Sequence, residues 1–322
     1  MKPKIFIDGE EGTTGLQIRQ RLKSRVDLDL IHLPGKQRKN LDARRAALHQ
    51  ANLAILCLPD SVAREAVGLA EGSNTKIIDA STAHRTSKDW VYGFPEMSKE
   101  QPIRIASAQK VSNPGCYPTG VIALIRPLIG AKLIPNNFPL SIHAVSGYSG
   151  GGNTLISRME ARERNGGINS NFFSYSLNLD HKHVSEMMVH SGLKVRPIFL
   201  PSVGRFRQGM MVQIPLQLRA LGKKTNYDAI YEVLNLAYKN SRFVIVVKPQ
   251  ELSKYTDLLD PEQVNNTNYL RVSVFGNSKN QQVVLVAQLD NLGKGAAGQA
   301  VQNLNLMLGI SEERGLNSQP KN

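Results

Sequence analysis

Cysteine is scarce: the 322-residue chain has two. That excludes a disulfide framework and fits a reducing compartment. No stretch approaches the roughly 18 uninterrupted apolar residues of a membrane span. Lys2 and Lys4 run straight into a short apolar strand, not into a longer apolar segment with a cleavage site. No secretory leader is expected, and the cytoplasm is the expected location. Internal repeats and low-complexity linkers are missing as well. Acids are few beside bases, with 26 Asp and Glu against 40 Lys and Arg, a net charge of +14. Such a balance suits nucleic acid, an anionic membrane surface or an anionic small molecule; a solvated basic surface explains it equally. The bases gather only at residues 36–39 and 158–164, with no aromatic-interleaved basic patch and no nucleic-acid motif. Neither nucleic acid nor membrane is therefore an expected partner.

What is present is a globular composition, 41% hydrophobic and 20% charged, in a chain long enough for two domains. The first third alternates strand and helix patterns. Residues 4–8, 28–33, 53–58 and 76–80 read as strands, and 16–22, 41–49 and 61–69 as helices. Cys57 falls within the third strand and reads as a core residue. Such alternation predicts a parallel sheet covered on both faces. After an apolar helix over 121–129, the strands lengthen: 140–145, 209–218, 243–247, 269–275 and 283–289. Few helices separate the last of them, which predicts an α+β domain with a largely antiparallel sheet. A final helix is expected over 293–308, and the polar last dozen residues are expected to fray.

Three constellations carry chemistry. In D-G-E-E-G-T-T-G, Gly9, Gly12 and Gly15 follow the first strand and precede a helix, with Thr13 and Thr14 between them. Glycines let backbone approach a pyrophosphate, and the helix start supplies N–H donors; a tight turn would use the same residues. The second strand ends without the acid that holds an NAD ribose. Lys36, Arg38 and Lys39 follow instead, which suits the extra phosphate of NADP or a basic surface turn.

The second constellation is S-N-P-G-C-Y-P-T-G, residues 112–120. Cys116 sits among turn residues just before an apolar helix, and a helix start lowers thiol pKa. By local chemistry alone, attack and packing both remain open for it. The third is D-H-K-H-V-S-E-M-M, residues 180–188. His183 and Glu186 are three apart and share a helix face, so the acid can orient the ring. A metal site from His181, His183 and His190, or plain surface histidines, fits the same letters, although the spacing matches no standard zinc pattern. S-G-Y-S-G-G-G-N (146–153) is a glycine-dense loop, either for close approach to a cofactor or a mobile connection. R-F-R-Q-G-M-M (205–211) offers guanidinium groups suited to carboxylate or phosphate.

Together with I-I-D-A-S-T-A-H-R-T (77–86), W-V-Y-G-F-P-E (90–96) and N-L-G-K-G-A-A-G-Q-A (291–300), these segments resemble N-acetyl-γ-glutamyl-phosphate reductases, most closely the shorter, second type. The resemblance covers most of the chain. It implies a Rossmann-like NADP-binding domain plus an α+β catalytic domain with a mixed, largely antiparallel sheet. The implied boundaries are 1–116 with 292–322 for the cofactor domain and 117–291 for the catalytic and dimerisation domain. It implies reduction of an acyl phosphate through a cysteine thioester, with phosphate released and no metal. Cys116 matches the nucleophile, and the catalytic histidine falls in H-K-H. His183 is expected in that role and His181 at the substrate.

Ser112 and Asn113 would line the substrate site, with Arg85 or Arg205 on its carboxylate or phosphate. Gly9, Gly12, Thr13, Thr14, Gly15, Lys36, Arg38, Ser81, Ser146, Gly147, Gly150 and Asn291 would serve NADP, Asn291 by holding the nicotinamide amide. A homodimer or homotetramer is implied. Ser185 stands where the longer form tends to carry proline, which leaves the choice between His181 and His183 open. Another acyl-phosphate reductase, acting on an aspartyl or aminoadipyl derivative, is the alternative. A basic nucleic-acid-binding protein is the remote one.

Overall fold

In the computed structural model the described residues are 1–162 and 166–316. Part of the 158–164 basic cluster and half of the polar tail therefore lie outside them. Backbone contacts divide the chain into two compact units, one built from residues 1–95, 99–115 and 296–316, the other from 96–98 and 116–295.

The first unit follows from short apolar runs that are buried on both faces. Strands β1 (Lys4–Asp8), β2 (Asp29–Ile31), β3 (Leu53–Leu56), β4 (Lys76–Asp79), β5 (Val91–Tyr92) and β6 (Lys110–Ser112) form one parallel sheet in the order β2-β1-β3-β4-β6-β5. Helices α1 (Thr13–Leu22), α2 (Leu41–Gln50), α3 (Asp60–Leu69) and α4 (Gln101–Ser107) make the crossovers. Strand order reverses between β1 and β3, so the loop after β1 opens at a topological switch point, where such sheets bind ligands. Gly9 takes φ +89° there, and a Cβ on it would meet the Cys57 carbonyl oxygen at 2.3 Å, so only glycine fits the turn.

In the second unit, helix α5 (Cys116–Gly130) is apolar nearly all round, with Val121 through Ile125 fully buried. It lies against a seven-stranded sheet of order β11-β12-β13-β10-β7-β9-β8. The strands are β7 (Ser141–Gly147), β8 (Phe172–Ser174), β9 (Ile198–Gly204), β10 (Met210–Gln217), β11 (Val244–Val246), β12 (Leu270–Asn277) and β13 (Gln282–Leu289). Helices α6 (Gly152–Glu160), α7 (His183–Ser191) and α8 (Tyr227–Tyr238) complete this unit, while α9 (Gly298–Met307) belongs to the first. β7 with β9 and β11 with β12 run parallel; the other four pairings are antiparallel. The sheet is mixed and largely antiparallel, as expected.

Two details depart from the sequence reading. β3 ends at Leu56, so Cys57 lies one residue past the strand and half-buried, not within the core. The helix expected over 293–308 is split: Gly293–Ala297 forms a π turn and regular helix starts at Gly298. The wider turn seats Gly293 against the Thr267 carbonyl and Gly295 against Cys116 and the Asp290 carbonyl, a need that propensity does not reveal. Among the described residues no helix is long and apolar enough to cross a membrane.

Arg44 on α2 is buried and donates two hydrogen bonds to Asp8 at the end of β1, at 3.0 and 3.1 Å, and one to Glu65 at 2.6 Å. Removing one partner of a buried pair strands the other charge. Arg44→Met should cost about 3 kcal/mol or more. Adding Asp8→Leu should return much of that loss, measured by urea unfolding of both variants.

Candidate active site

Cys116 is the first residue of α5, placed there by the Pro114–Gly115 turn that ends the preceding loop. Its backbone N–H lies in the first turn of a helix, where the dipole favours a thiolate. Gly295, in the π turn, packs directly on it: a Cβ at position 295 would come within 2.8 Å of the Cys116 Cβ. This contact gives the N-L-G-K-G-A-A-G segment a task. Asp290 holds the turn, its backbone carbonyl accepting from the Gly295 N–H at 2.9 Å and its carboxylate from the Leu292 N–H at 2.8 Å.

The cavity beside Cys116 has a volume of about 420 Å³ and contains Ser146, Gly147, Gly150, His181 and His183 in its wall. The histidines are set by one directed chain of hydrogen bonds. The His183 backbone N–H donates to His181 Nδ1 at 3.1 Å, so that nitrogen must be an acceptor. The proton of the neutral ring is then on Nε2, which donates to the Tyr175 hydroxyl at 3.3 Å. Tyr175 donates onward to the Tyr117 hydroxyl at 3.5 Å, and Tyr117 to the Ser202 carbonyl at 3.2 Å. Burial pushes the Tyr175 hydroxyl up to about 12, so it keeps its proton. Burial, then the nearby Lys182 charge, pushes His181 down to about 4. His181 is therefore neutral near pH 7 and cannot take a proton on Nδ1 without breaking the bond that starts α7. His183, first residue of α7, lies with its ring 4.8 Å from that of His181 and 5.9 Å from that of Tyr117. Glu186 is buried one turn further along.

Other expected site residues are placed elsewhere. Asn291 is spent on the loop: its Oδ1 accepts from the Gly209 N–H at 2.8 Å and its Nδ2 donates to Ser149 Oγ at 2.9 Å. The amide thus bridges the Gly209 backbone and the 146–151 segment. Arg205 directs its guanidinium at the carbonyls of Met159, Ile168 and Ser170, and Arg85 at those of Ala80 and Asn113. Both guanidinium groups are folded onto backbone of their own unit, and Arg205 does not line the Cys116 cavity. Ser112 ends β6 and Asn113 follows it; the Asn113 amide donates to Ala296 O and accepts from Asn303, tying the strand end to α9. Ser81 caps Asp79, which also holds His84 at 2.6 Å.

In the first unit, Gly9 and Gly12 line a second cavity of about 530 Å³ with Arg38, Lys39 and Arg44. Gly12 is the N-cap of α1, with no side chain capping it and no acid in the first turn. The Gly12 N–H closes the turn on the Gly9 carbonyl at 3.1 Å, and the positive end of the α1 dipole at this edge of the cavity favours an anion such as a pyrophosphate. Arg38 and Lys39 supply the cationic wall that a 2′-phosphate needs, although Arg38 is shared with Glu10 and Glu11. These residues fit NADP. Lys36, Thr13, Thr14 and Gly15 stand outside the cavity lining; Gly15 serves the close packing of α1 on the Gly9–Glu10 backbone. Cys57 is part of this wall, its thiol pushed up to about 12 by burial, which makes it a poor nucleophile.

Sequence reasoning missed Tyr117, Tyr175, Lys182 and Gly295. Tyr117 and Lys182 adjoin named site residues, so adjacency could have found them; nothing around Tyr175 signals its role. Among the described residues no cluster of His, Cys, Asp and Glu is arranged to hold a metal, and His190 sits in the last turn of α7.

Below about pH 6.5 an unfolded chain protonates a histidine that the fold keeps neutral down to about 4. Native stability should therefore be lost as pH falls through that window, and His181→Gln should remove that part of the loss. Urea titrations at pH 7 and pH 5 measure it: the variant should gain on the parent at pH 5. A difference independent of pH would reject a His181 kept neutral by the fold.

Two family models match the chain: the semialdehyde dehydrogenase NAD binding domain over residues 4–104 and the semialdehyde dehydrogenase dimerisation domain over 116–291. An N-acetyl-gamma-glutamyl-phosphate reductase of Brucella ovis is 54% identical over 310 residues, covering 96% of this chain and all of its own. N-acetyl-gamma-glutamyl-phosphate reductase 2 of a Nostoc species is 52% identical over 320 residues, 98% of this chain and 99% of that one. Among solved structures, aspartate semialdehyde dehydrogenase II of Vibrio cholerae superposes with a TM-score of 0.75 at 15% identity, over 96% of this chain and 99% of that one. The cysteine at a helix start, the histidine pair and the glycine loop thus sit in a chain that belongs to the N-acetyl-gamma-glutamyl-phosphate reductases, within the semialdehyde dehydrogenase family.

Proposed function

We propose that this protein reduces N-acetyl-glutamyl 5-phosphate to N-acetyl-glutamate 5-semialdehyde and phosphate, with NADPH, as a step of arginine biosynthesis in the cytoplasm. The observation that carries the reading is the cavity that holds Cys116 and His183 together, beside a second histidine kept neutral. Residues 116–291 match a dimerisation domain, which supports a homodimer or homotetramer built through the second unit. The first unit is the cofactor domain in this reading, and the second the catalytic one.

The chemistry follows from the residues. The Cys116 thiolate attacks the acyl carbon; the carbon–oxygen bond to phosphate breaks, phosphate leaves with that electron pair, and a thioester remains on Sγ. When bound, NADPH supplies the hydride that reduces this carbonyl. The resulting oxyanion lies near the start of α5, where the Cys116 N–H can stabilise it, and His183 can protonate it. Deprotonation of the same hydroxyl then lets the carbon–sulfur bond break, returning the thiolate and freeing the aldehyde. His181, already neutral and donating from Nε2, orients substrate and leaves proton transfer to His183. Gly9, Gly12, Arg38 and Lys39 hold the dinucleotide phosphates.

The test runs in the oxidising direction with NADP and phosphate. The N-acetylated C5 aldehyde should exceed aspartate semialdehyde in kcat/KM by about a hundredfold or more. Cys116→Ser should abolish turnover while NADP binding, read by fluorescence, stays intact. Preference for aspartate semialdehyde, or activity surviving in Cys116→Ser, would overturn the reading.

A further inference from the structure

The substrate of the proposed reaction carries a carboxylate and an acyl phosphate, yet the arginines expected to meet them are turned to backbone carbonyls. The cavity wall itself resolves the matter. Around Cys116 it is built from Leu155, Phe173 and Val203, from neutral polar groups such as Ser146 and Tyr175, and from the histidines. Among the described residues Lys182 is the one lining side chain with a fixed charge. It lies between His181 and His183 in sequence and caps α7. Its side chain is exposed, and nearby charges are otherwise engaged: Asp180 pairs with Arg196 at 2.9 Å, and Arg207 pairs with Glu160. No ion pair occupies the Lys182 ammonium among the described residues.

We propose that Lys182 is the anion anchor of this cavity, its ammonium holding the substrate's phosphoryl group or its carboxylate while Cys116 attacks. The proposal rests on the functional reading above for the identity of the substrate, but the anion site itself does not. An exposed ammonium on a residue that lines an otherwise uncharged, partly apolar cavity attracts any anion that fits, because low-dielectric walls focus its field. Burial is the larger cause of the neutral His181, and the anchor adds to it. A cation held beside that ring disfavours a second positive charge, so the segment presents one fixed charge and leaves the histidines free for hydrogen bonding.

Lys182→Gln removes the charge at similar length, Lys182→Glu reverses it, and Lys182→Arg restores it. Steady-state kinetics in the oxidising direction separate the two sources of the anion. If the phosphoryl group is held, KM for inorganic phosphate rises about tenfold or more in Lys182→Gln, with the aldehyde KM unmoved; if the carboxylate is held, the reverse pattern appears. Lys182→Arg should recover most of either loss. A binding readout needs no turnover: phosphate or N-acetylglutamate should slow alkylation of Cys116 by iodoacetamide in the parent and not in Lys182→Gln. Protection that persists in Lys182→Gln, together with both KM values within twofold of the parent, would overturn the proposal, as would a loss confined to kcat. If the parent instead fails to oxidise the N-acetylated aldehyde yet phosphate protects it and not the variant, the anchor stands and the functional reading falls.

Discussion

One directed chain of hydrogen bonds governs the site. It begins at the His183 backbone N–H, passes through His181, Tyr175 and Tyr117, and ends on the Ser202 carbonyl of β9. Each member has its proton assigned by the neighbour it must satisfy, so no member can titrate without disturbing the rest. The chain ties the start of α7, the start of α5 and the sheet into one geometry. It holds one histidine neutral and in a single tautomer. In the proposed mechanism that division of labour leaves proton transfer to the other histidine and charge to the lysine between them.

Cys116 depends on a second constraint, close backbone approach. A helix start makes a thiolate favourable, but the π turn at 293–297 must lie against it, and only glycine at 295 allows that. Asp290 stabilises this turn through backbone N–H groups, and burial raises its pKa. The bonds to Leu292, Asn266 and Gln208 work the other way, favouring its charged form. Asn291, next in the chain, bridges the Gly209 backbone and the neighbouring glycine loop through its amide. The final glycine segment is thus a scaffold for Cys116 as much as the beginning of a helix.

Much of the architecture was legible because periodicity and burial are local properties. Strands β1, β3 and β4 read as short apolar runs, and the strand–glycines–helix order marked the loop after β1. β9 was not legible: P-I-F-L-P-S-V is interrupted by prolines, and its pairing with β7 comes from the sheet. Cys57 read as core because its neighbours are apolar, yet it lines the glycine-loop cavity; the strand stops one residue earlier than composition suggests. Arg85 and Arg205 were assigned by charge type, which says nothing of where a guanidinium points.

The sequence by itself determined the chemistry available: a cysteine before an apolar helix, histidines spaced around a lysine, a glycine loop without the acid of an NAD site. These are matters of residue type and order, which the chain carries unfolded. Only the tertiary structure decided which groups act on one another. His181 and Tyr175 are six residues apart, but Tyr117, Ser202 and Gly295 reach the site from distant parts of the chain. Hydrogen-bond direction, tautomer and the pairing state of each charge depend on distances across that gap, and no local pattern encodes them.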